Sequence, residues 1–421
     1  MLRKTTIRHT LLLLVALLLV AGQADAQKAK KIIAQAKTGI KNGKALDNQE
    51  KAVKEFVKAE NAMWELLKDS TNHDNEKVWL TLYDAIQAQY DVGNEKLYLK
   101  QKYDTAAHFN TTSKMFDVLI AFDSIDAKPD KKGQPKLRYR EKHADILDFY
   151  RPNLFYGGAF FVNKADFTKA YEYFEKYITC AQQPILQAYD YEHKDTMMPT
   201  VAYWALYSAY RMGDVDKALR YGQLALRDSQ KLSQTTQYLA ELYRMKGDTA
   251  EYVRQLNQGF ARDPGYPFFF PRLMDYYNER EQNDSMMIIV DQALEKDSTN
   301  QLYRFAKSTV YLNTGHYEEC MEICRMLIQE NDSFGDAYYN IGLAYFNQAV
   351  ELDKVAQRSR QKRKTIRELY GKSLPYMEKY RMLEPEQKER WLPVLYILYL
   401  NLNMGEQFDE IDRLRNSMMR K

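Results

Sequence analysis

Hydrophobic positions along this chain recur at helical intervals. Leu242 and Tyr243 follow Leu239 at three and four residues, beside Tyr238, and Leu273, Met274 and Tyr277 follow Phe270 at three, four and seven, the spacing of a helix buried on one face. Gly247-Asp248 interrupts the first stripe, Val253, Leu256 and Phe260 supply a second, and Asp263-Pro264 closes it. The local pattern therefore predicts helix, tight turn, helix, stop. Upstream the same period holds in Ala52, Phe56, Val57, Ala59, Met63 and Leu66, in Trp79, Leu82, Tyr83, Ile86 and Tyr90, and in Met115, Val118, Leu119 and Phe122. The loop from Lys128 to Pro135 is the clearest break there. The expected fold class is all-α.

The helical segments repeat. Tyr243, Tyr277, Tyr311 and Tyr345 stand 34 residues apart. Leu226, Phe260, Leu294 and Ile328 form an apolar column at the same step, and Ala225, Gly259 and Ala293 a small-residue column broken by Leu327. Gly213, Gly247 and Gly315 mark turns, and Asp263, Asp297 and Asn331 recur at unit ends. One helix pair cannot bury its stripe alone; stacking the next pair on it completes the burial, which is the logic of a solenoid.

These columns resemble the tetratricopeptide repeat. The unit from Gln234 supplies Leu239, Ala240, Tyr243, Gly247, Leu256, Gly259 and Pro264; the unit around Phe155 supplies Gly158, Phe161, Asp166-Phe167, Ala170 and Phe174; the unit from Asp336 supplies Tyr338, Asn340-Ile341-Gly342 and Ala344-Tyr345. The resemblance implies a right-handed α-solenoid of antiparallel helix pairs, with six units between Pro152 and Pro385. Its repeat columns should be core. The unit from Tyr203 to Leu226 is one residue short, the unit after Pro264 turns on Glu281-Gln282-Asn283-Asp284 without glycine, and an insertion is expected near residues 347–368. The expected organisation is 27–148 as diverged repeats, 149–390 as the array, and 391–421 as C-terminal capping helices.

The N-terminus reads as an address. Arg3, Lys4 and Arg8 precede the apolar run Leu11–Ala21, and Ala24-Asp25-Ala26 offers a small-residue cleavage site, the layout of a signal peptide spanning 1–26. The run is shorter than the roughly 20 residues of a spanning helix, and no cysteine follows it to accept lipid. The expectation is an exported chain, periplasmic or secreted, with no transmembrane segment after cleavage. Its formal charge of +4 falls to +2 once three basic residues and one acid leave with the leader, which gives no footprint for nucleic acid.

Composition narrows the class further. Only 17 Gly and 11 Pro among 421 residues leave too few turns for an all-β domain, and three cysteines exclude a disulfide framework. The phosphate-loop, dinucleotide, serine-hydrolase and zinc-protease motifs are absent from the sequence, so no enzyme activity, cofactor or metal is expected. His316 occupies a turn position, Cys320 and Cys324 occupy packing columns and should be buried thiols, and Cys180 has no evident partner. The aromatic run from Tyr266 to Phe270 reads as a helix entry whose phenylalanines pack inward. Lys354, Arg358, Arg360, Lys362, Arg363, Lys364 and Arg367 crowd the insertion, which reads as a solvated helical extension or as a docking patch for anionic lipid head groups or an acidic partner.

In repeats of this kind the first helix of each unit lines a concave surface that takes peptides or protein segments. Carried over by position, the resemblance implies a groove of Tyr203, Tyr207, Glu241, Arg244, Asp275, Asn278, Phe305, Asn313, Tyr339, Asn340 and Phe346. The asparagine column of the chaperone-tail clamp reads Ala159, Tyr207, Glu241, Asp275, Thr309 and Leu343 here, so that ligand is not expected. The function read from the sequence is an exported, non-enzymatic scaffold for a protein or peptide partner. A glycan-binding accessory protein of the cell envelope and, behind it, a helical-repeat hydrolase are the alternatives.

Overall fold

A computed structural model describes residues 27–129, 132–354 and 360–419; the expected signal peptide, Arg358 and the last two residues lie outside them. Among the described residues every regular element is a helix, and the β structure is a single bridge between Pro129 and Pro135. The chain divides into two compact units, Met1–Asp248 and Thr249–Lys421.

In the first unit, α1 (27–44) is followed by α2 (Gln49–Leu67), α3 (Glu76–Tyr98), α4 (Thr105–Asp126), α5 (Arg140–Asn163) and α6 (Phe167–Cys180). A 3-10 segment, Pro184–Tyr189, and the short α7 (Tyr191–Lys194) lead to α8 (Met198–Met212), α9 (Val215–Arg220), α10 (Gly222–Ala225) and α11 (Leu232–Lys246). Consecutive long helices pack on each other, α2 on α3, α3 on α4, α4 on α5, α5 on α6 and α6 on α8. Asn48, Asn75, Asp104, Asp166 and Asp214 start their helices by accepting first-turn amides, which satisfies donors that the helix leaves open. Helix α5 passes through position 148, so the early helices and the first repeat share one rod. The unit that the sequence shows one residue short has its second helix split at Tyr221 into α9 and α10.

The second unit runs α12 (Thr249–Arg262), α13 (Phe269–Asn278), α14 (Asn283–Lys296), α15 (Gln301–Asn313), α16 (Tyr317–Glu330), α17 (Gly335–Lys354), α18 (Arg360–Leu383), α19 (Lys388–Leu402) and α20 (Gly405–Met419), each packed on the next. The phenylalanines of the aromatic run are buried at the entry of α13, where Phe269 lies against Gly259 so closely that a Cβ there would come within 2.3 Å of the ring. Ala293, Cys320, Cys324 and Leu327 are buried, and all three cysteines are free thiols.

One turn joins the two helices of most hairpins, and it needs a residue in the left-handed region. Gly213, Gly247 and Gly315 take it at φ of 75°, 78° and 79°; Ala165, Glu281 and Asn403 take it at 56°, 53° and 59°. At each, the following amide reaches back to a carbonyl five residues earlier: Asp248 to Tyr243, Gln282 to Tyr277, His316 to Tyr311, all at 2.9 Å. The 34-residue tyrosine column thus lends its backbone to the turn. Its rings are half-buried rather than core, which corrects the sequence expectation: they sit at the hairpin seam, with Tyr345 accepting from Arg325 Nη2 at 3.3 Å and Tyr277 from Asn257 Nδ2 at 3.4 Å.

The insertion is helical in its described residues. It lengthens two helices of one hairpin: α17 has 20 residues and α18 has 24, against 13 and 14 for α15 and α16. At 1.5 Å per residue the longer pair reaches about 10 Å further than its neighbour. Close packing holds it together, since a Cβ on Gly342 would meet Met377 Sδ at 2.5 Å and Ser373 Oγ donates to the Gly342 carbonyl at 2.7 Å.

Candidate functional site

The extended part of α17 stands beside the ends of α13 and α15 and bounds an open cavity of about 620 Å³ within the second unit. Its lining includes Asn278 at the end of α13, Asn283 at the start of α14, Asn313 at the end of α15 and Asn347 on α17. Leu312, Leu343 and Val350 add apolar surface, while Tyr317, Glu281, Glu351 and Lys354 add charge and a phenol. Three asparagines on first helices of successive pairs therefore share one recess. The Asn313 carboxamide donates to Asn278 Oδ1 at 3.1 Å and approaches Asn283 Oδ1 at 3.5 Å. Tyr317 Oη donates to Glu351 Oε1 at 2.6 Å. Burial, then that carboxylate, raises the Tyr317 pKa, so the phenol stays a protonated donor. Glu281 holds its positive φ at the rim of the same cavity.

Of the groove residues implied by the sequence, Asn278 and Asn313 meet in this cavity. Asn340 is buried and donates to Ser308 Oγ and Thr309 Oγ1, both at 3.2 Å, tying α17 to α15. Tyr339 packs on Tyr380 with centroids 4.8 Å apart and carries the Arg390 guanidinium 4.2 Å from its ring centre. Phe305 lies edge-on to Phe334 at 5.4 Å, and Phe346 lies 5.7 Å from Tyr370. Asp275 is exposed on α13. These five are parts of the helix packing or of the outer surface, and they line no wall of the asparagine cavity.

The other four belong to the first unit. Tyr203 is buried and Tyr207 half-buried in an aromatic cluster on α8 and α11, with Trp204 and Tyr238 within 5.3–6.2 Å of one or both. Phe167 packs edge-on to Tyr207 at 6.0 Å, and Arg211 Nη1 donates to the Tyr207 hydroxyl at 2.7 Å. Glu241 is buried and accepts from Arg244 Nη2 at 2.8 Å along one face of α11.

Residue-by-residue transfer missed Asn283, Tyr317, Asn347, Glu351 and Lys354. The signal was present, because Asn347 stands 34 residues after Asn313 and Glu351 stands 34 after Tyr317. His316 is exposed in its turn, 2.9 Å from Thr314 Oγ1. Among the described residues no helix is long and apolar enough to cross a membrane, and no group of three or more His, Cys, Asp or Glu side chains is placed to hold a metal ion.

Helix hairpins with left-handed turns, small residues at close crossings and a 34-residue step define an all-α repeat fold of the tetratricopeptide type. No family model and no curated protein matches the sequence. Solved structures similar to the chain include the C-terminal part of a TPR repeat-containing protein from Cytophaga hutchinsonii, 13% identical, covering 61% of this chain and 92% of that one at a TM-score of 0.41. A tetratricopeptide repeat protein from Parabacteroides merdae is 17% identical and covers 63% of this chain and 98% of its own at 0.35. A TPR repeats protein from Bacteroides fragilis is 14% identical, with 63% and 98% covered, at 0.27.

Proposed function

We propose that this chain is an exported, non-enzymatic repeat scaffold that holds an extended polypeptide segment in the asparagine-lined cavity of its second unit. The observation that carries the reading is the convergence of Asn278, Asn313 and Asn347 on one recess. A carboxamide offers a donor and an acceptor side by side, which matches the amide groups of an extended backbone and takes little account of its side chains. Leu312, Leu343 and Val350 supply apolar contact beside them, the usual mixture of a binding recess. The leader pattern of residues 1–26 supports export.

Binding of the full chain to an array of unrelated peptides tests the site. Replacing Asn278 and Asn347 by leucine should weaken binding at least tenfold, since each lost hydrogen bond costs about 1 kcal/mol. The loss should be similar across peptide sequences, because the lost contacts are to backbone. Unchanged binding by the double variant, or retention of oligosaccharides and no peptides by the parent, would refute the reading. Mass spectrometry of the chain isolated from fractionated native cells should find it in the envelope with Gln27 at the N-terminus; a chain found in the cytoplasm and still beginning at Met1 would remove the export assignment.

A further inference from the structure

The first turns of α18 carry a basic stripe that the peptide-binding reading leaves unused. Arg360, Arg363, Lys364 and Arg367 stand at i, i+3, i+4 and i+7, so they share one helix face, and all four are exposed. Two physical terms oppose this arrangement. Like charges three and four residues apart repel. Cations in the first turn face the positive end of the helix dipole, and no acidic residue occupies that turn. Compensation is slight: Lys364 lies 3.8 Å from Glu368 with both side chains more than half exposed, and Arg367 Nη2 reaches the Leu402 carbonyl at 3.4 Å. A local arrangement that costs stability without a structural return marks a functional surface.

The position of the stripe says what kind of partner fits. It lies toward the far end of the hairpin that outreaches its neighbour, on a convex rod rather than in the asparagine cavity, whose lining contains none of these four residues. A ridge of this form cannot enclose a small anion. It can lie against a broad, flat array of negative charge. Three of the four cations are arginines, whose planar forks grip phosphate oxygens in pairs. No large exposed hydrophobic residue is found between Arg360 and Arg367, so contact would be electrostatic without insertion. We propose that this stripe docks the protein on a bilayer surface rich in anionic phospholipid head groups.

The test is co-sedimentation of the full chain with vesicles of phosphatidylcholine alone or mixed with phosphatidylglycerol. The parent should bind the mixed vesicles only and release on raising the salt. Each cation neutralised should weaken binding about fivefold, so Arg360→Gln/Arg363→Gln/Lys364→Gln should lose about a hundredfold; Arg367 is kept for its contact with α19. The same variant should melt at or above the parent temperature, because it removes repulsion, and this separates lost docking from lost folding. Binding that persists in the variant, or a parent that ignores phosphatidylglycerol vesicles, overturns the proposal. A parent that binds polyglutamate and no vesicle overturns it in favour of an acidic protein.

Discussion

Ala165 sits at φ 56° in the turn between α5 and α6, exposed. An L-residue in that region carries about 1–2 kcal/mol of steric cost, whereas glycine carries almost none and gives back part of the gain through its freer unfolded chain. Ala165→Gly should therefore stabilise the protein by roughly 0.5–1 kcal/mol in denaturant unfolding; a loss of stability would mean that the turn is held for another reason. The opposite test lies a few residues upstream. A methyl group on Gly158 would come within 2.4 Å of the Phe174 ring, which is fully buried, so Gly158→Ala should cost about 1–3 kcal/mol through overpacking. The Gly158 contact was legible in the sequence as a small-residue position of the repeat pattern. The strained turns were half legible: glycine announces a left-handed position, but Ala165 and Glu281 do not, because nothing in their side chains demands it. The tyrosine column was read with the right period and the wrong environment. Its spacing is set by the turn that its backbone closes, while its rings stop at the seam.

The α17–α18 hairpin is the element that makes this array unlike a plain stack. Its extra turns supply Val350, Glu351 and Lys354 to the cavity and Arg360, Arg363 and Lys364 to the basic face. Sequence spacing located the insertion, and its run of charged residues reads as a solvated helical extension, which the lengthened α17 and α18 match. Asn313 and Asn347 could be seen to share a column, but the wall that Val350, Glu351 and Lys354 add to their recess depends on how far α17 projects. Replacing residues 349–364 by a short glycine-containing turn should leave the packing of Met377, Tyr380, Trp391, Leu395 and Leu398, which form the base of the hairpin and its contact with α19, and preserve cooperative melting of the second unit. Peptide and vesicle binding should both fall. Retention of vesicle binding by the shortened protein would place the anionic contact elsewhere.

At the scale of the whole molecule, the two units differ in what they bury. The first holds His108 and His143, both less than a tenth exposed; the second contains a single histidine, the exposed His316. His108 is stacked on Tyr90 at 4.5 Å, with Tyr103 and Phe109 around it, and its Nδ1 has no hydrogen-bond partner. His143 packs between Tyr83, Phe122 and Tyr139, with Lys142, Asp126 and Asp123 near enough to act on its charge. Burial lowers the pKa of both below the usual 6.5, and Lys142 pushes His143 further down against the pull of the two aspartates. The folded state therefore binds fewer protons than the unfolded chain in mildly acid solution, and stability present above pH 6.5 is lost as pH falls below it. His193 works the other way beside Asp190, but it is fully exposed and solvent screens it. Hydrogen–deuterium exchange at pH 7 and pH 5, corrected for intrinsic rates, should show α3–α5 losing protection on acidification more than α15–α17. His108→Phe/His143→Phe should remove the difference, because phenylalanine takes no proton. Equal loss of protection in the two units would show that the buried imidazoles do not govern the acid response, and that carboxylates distributed over both units do.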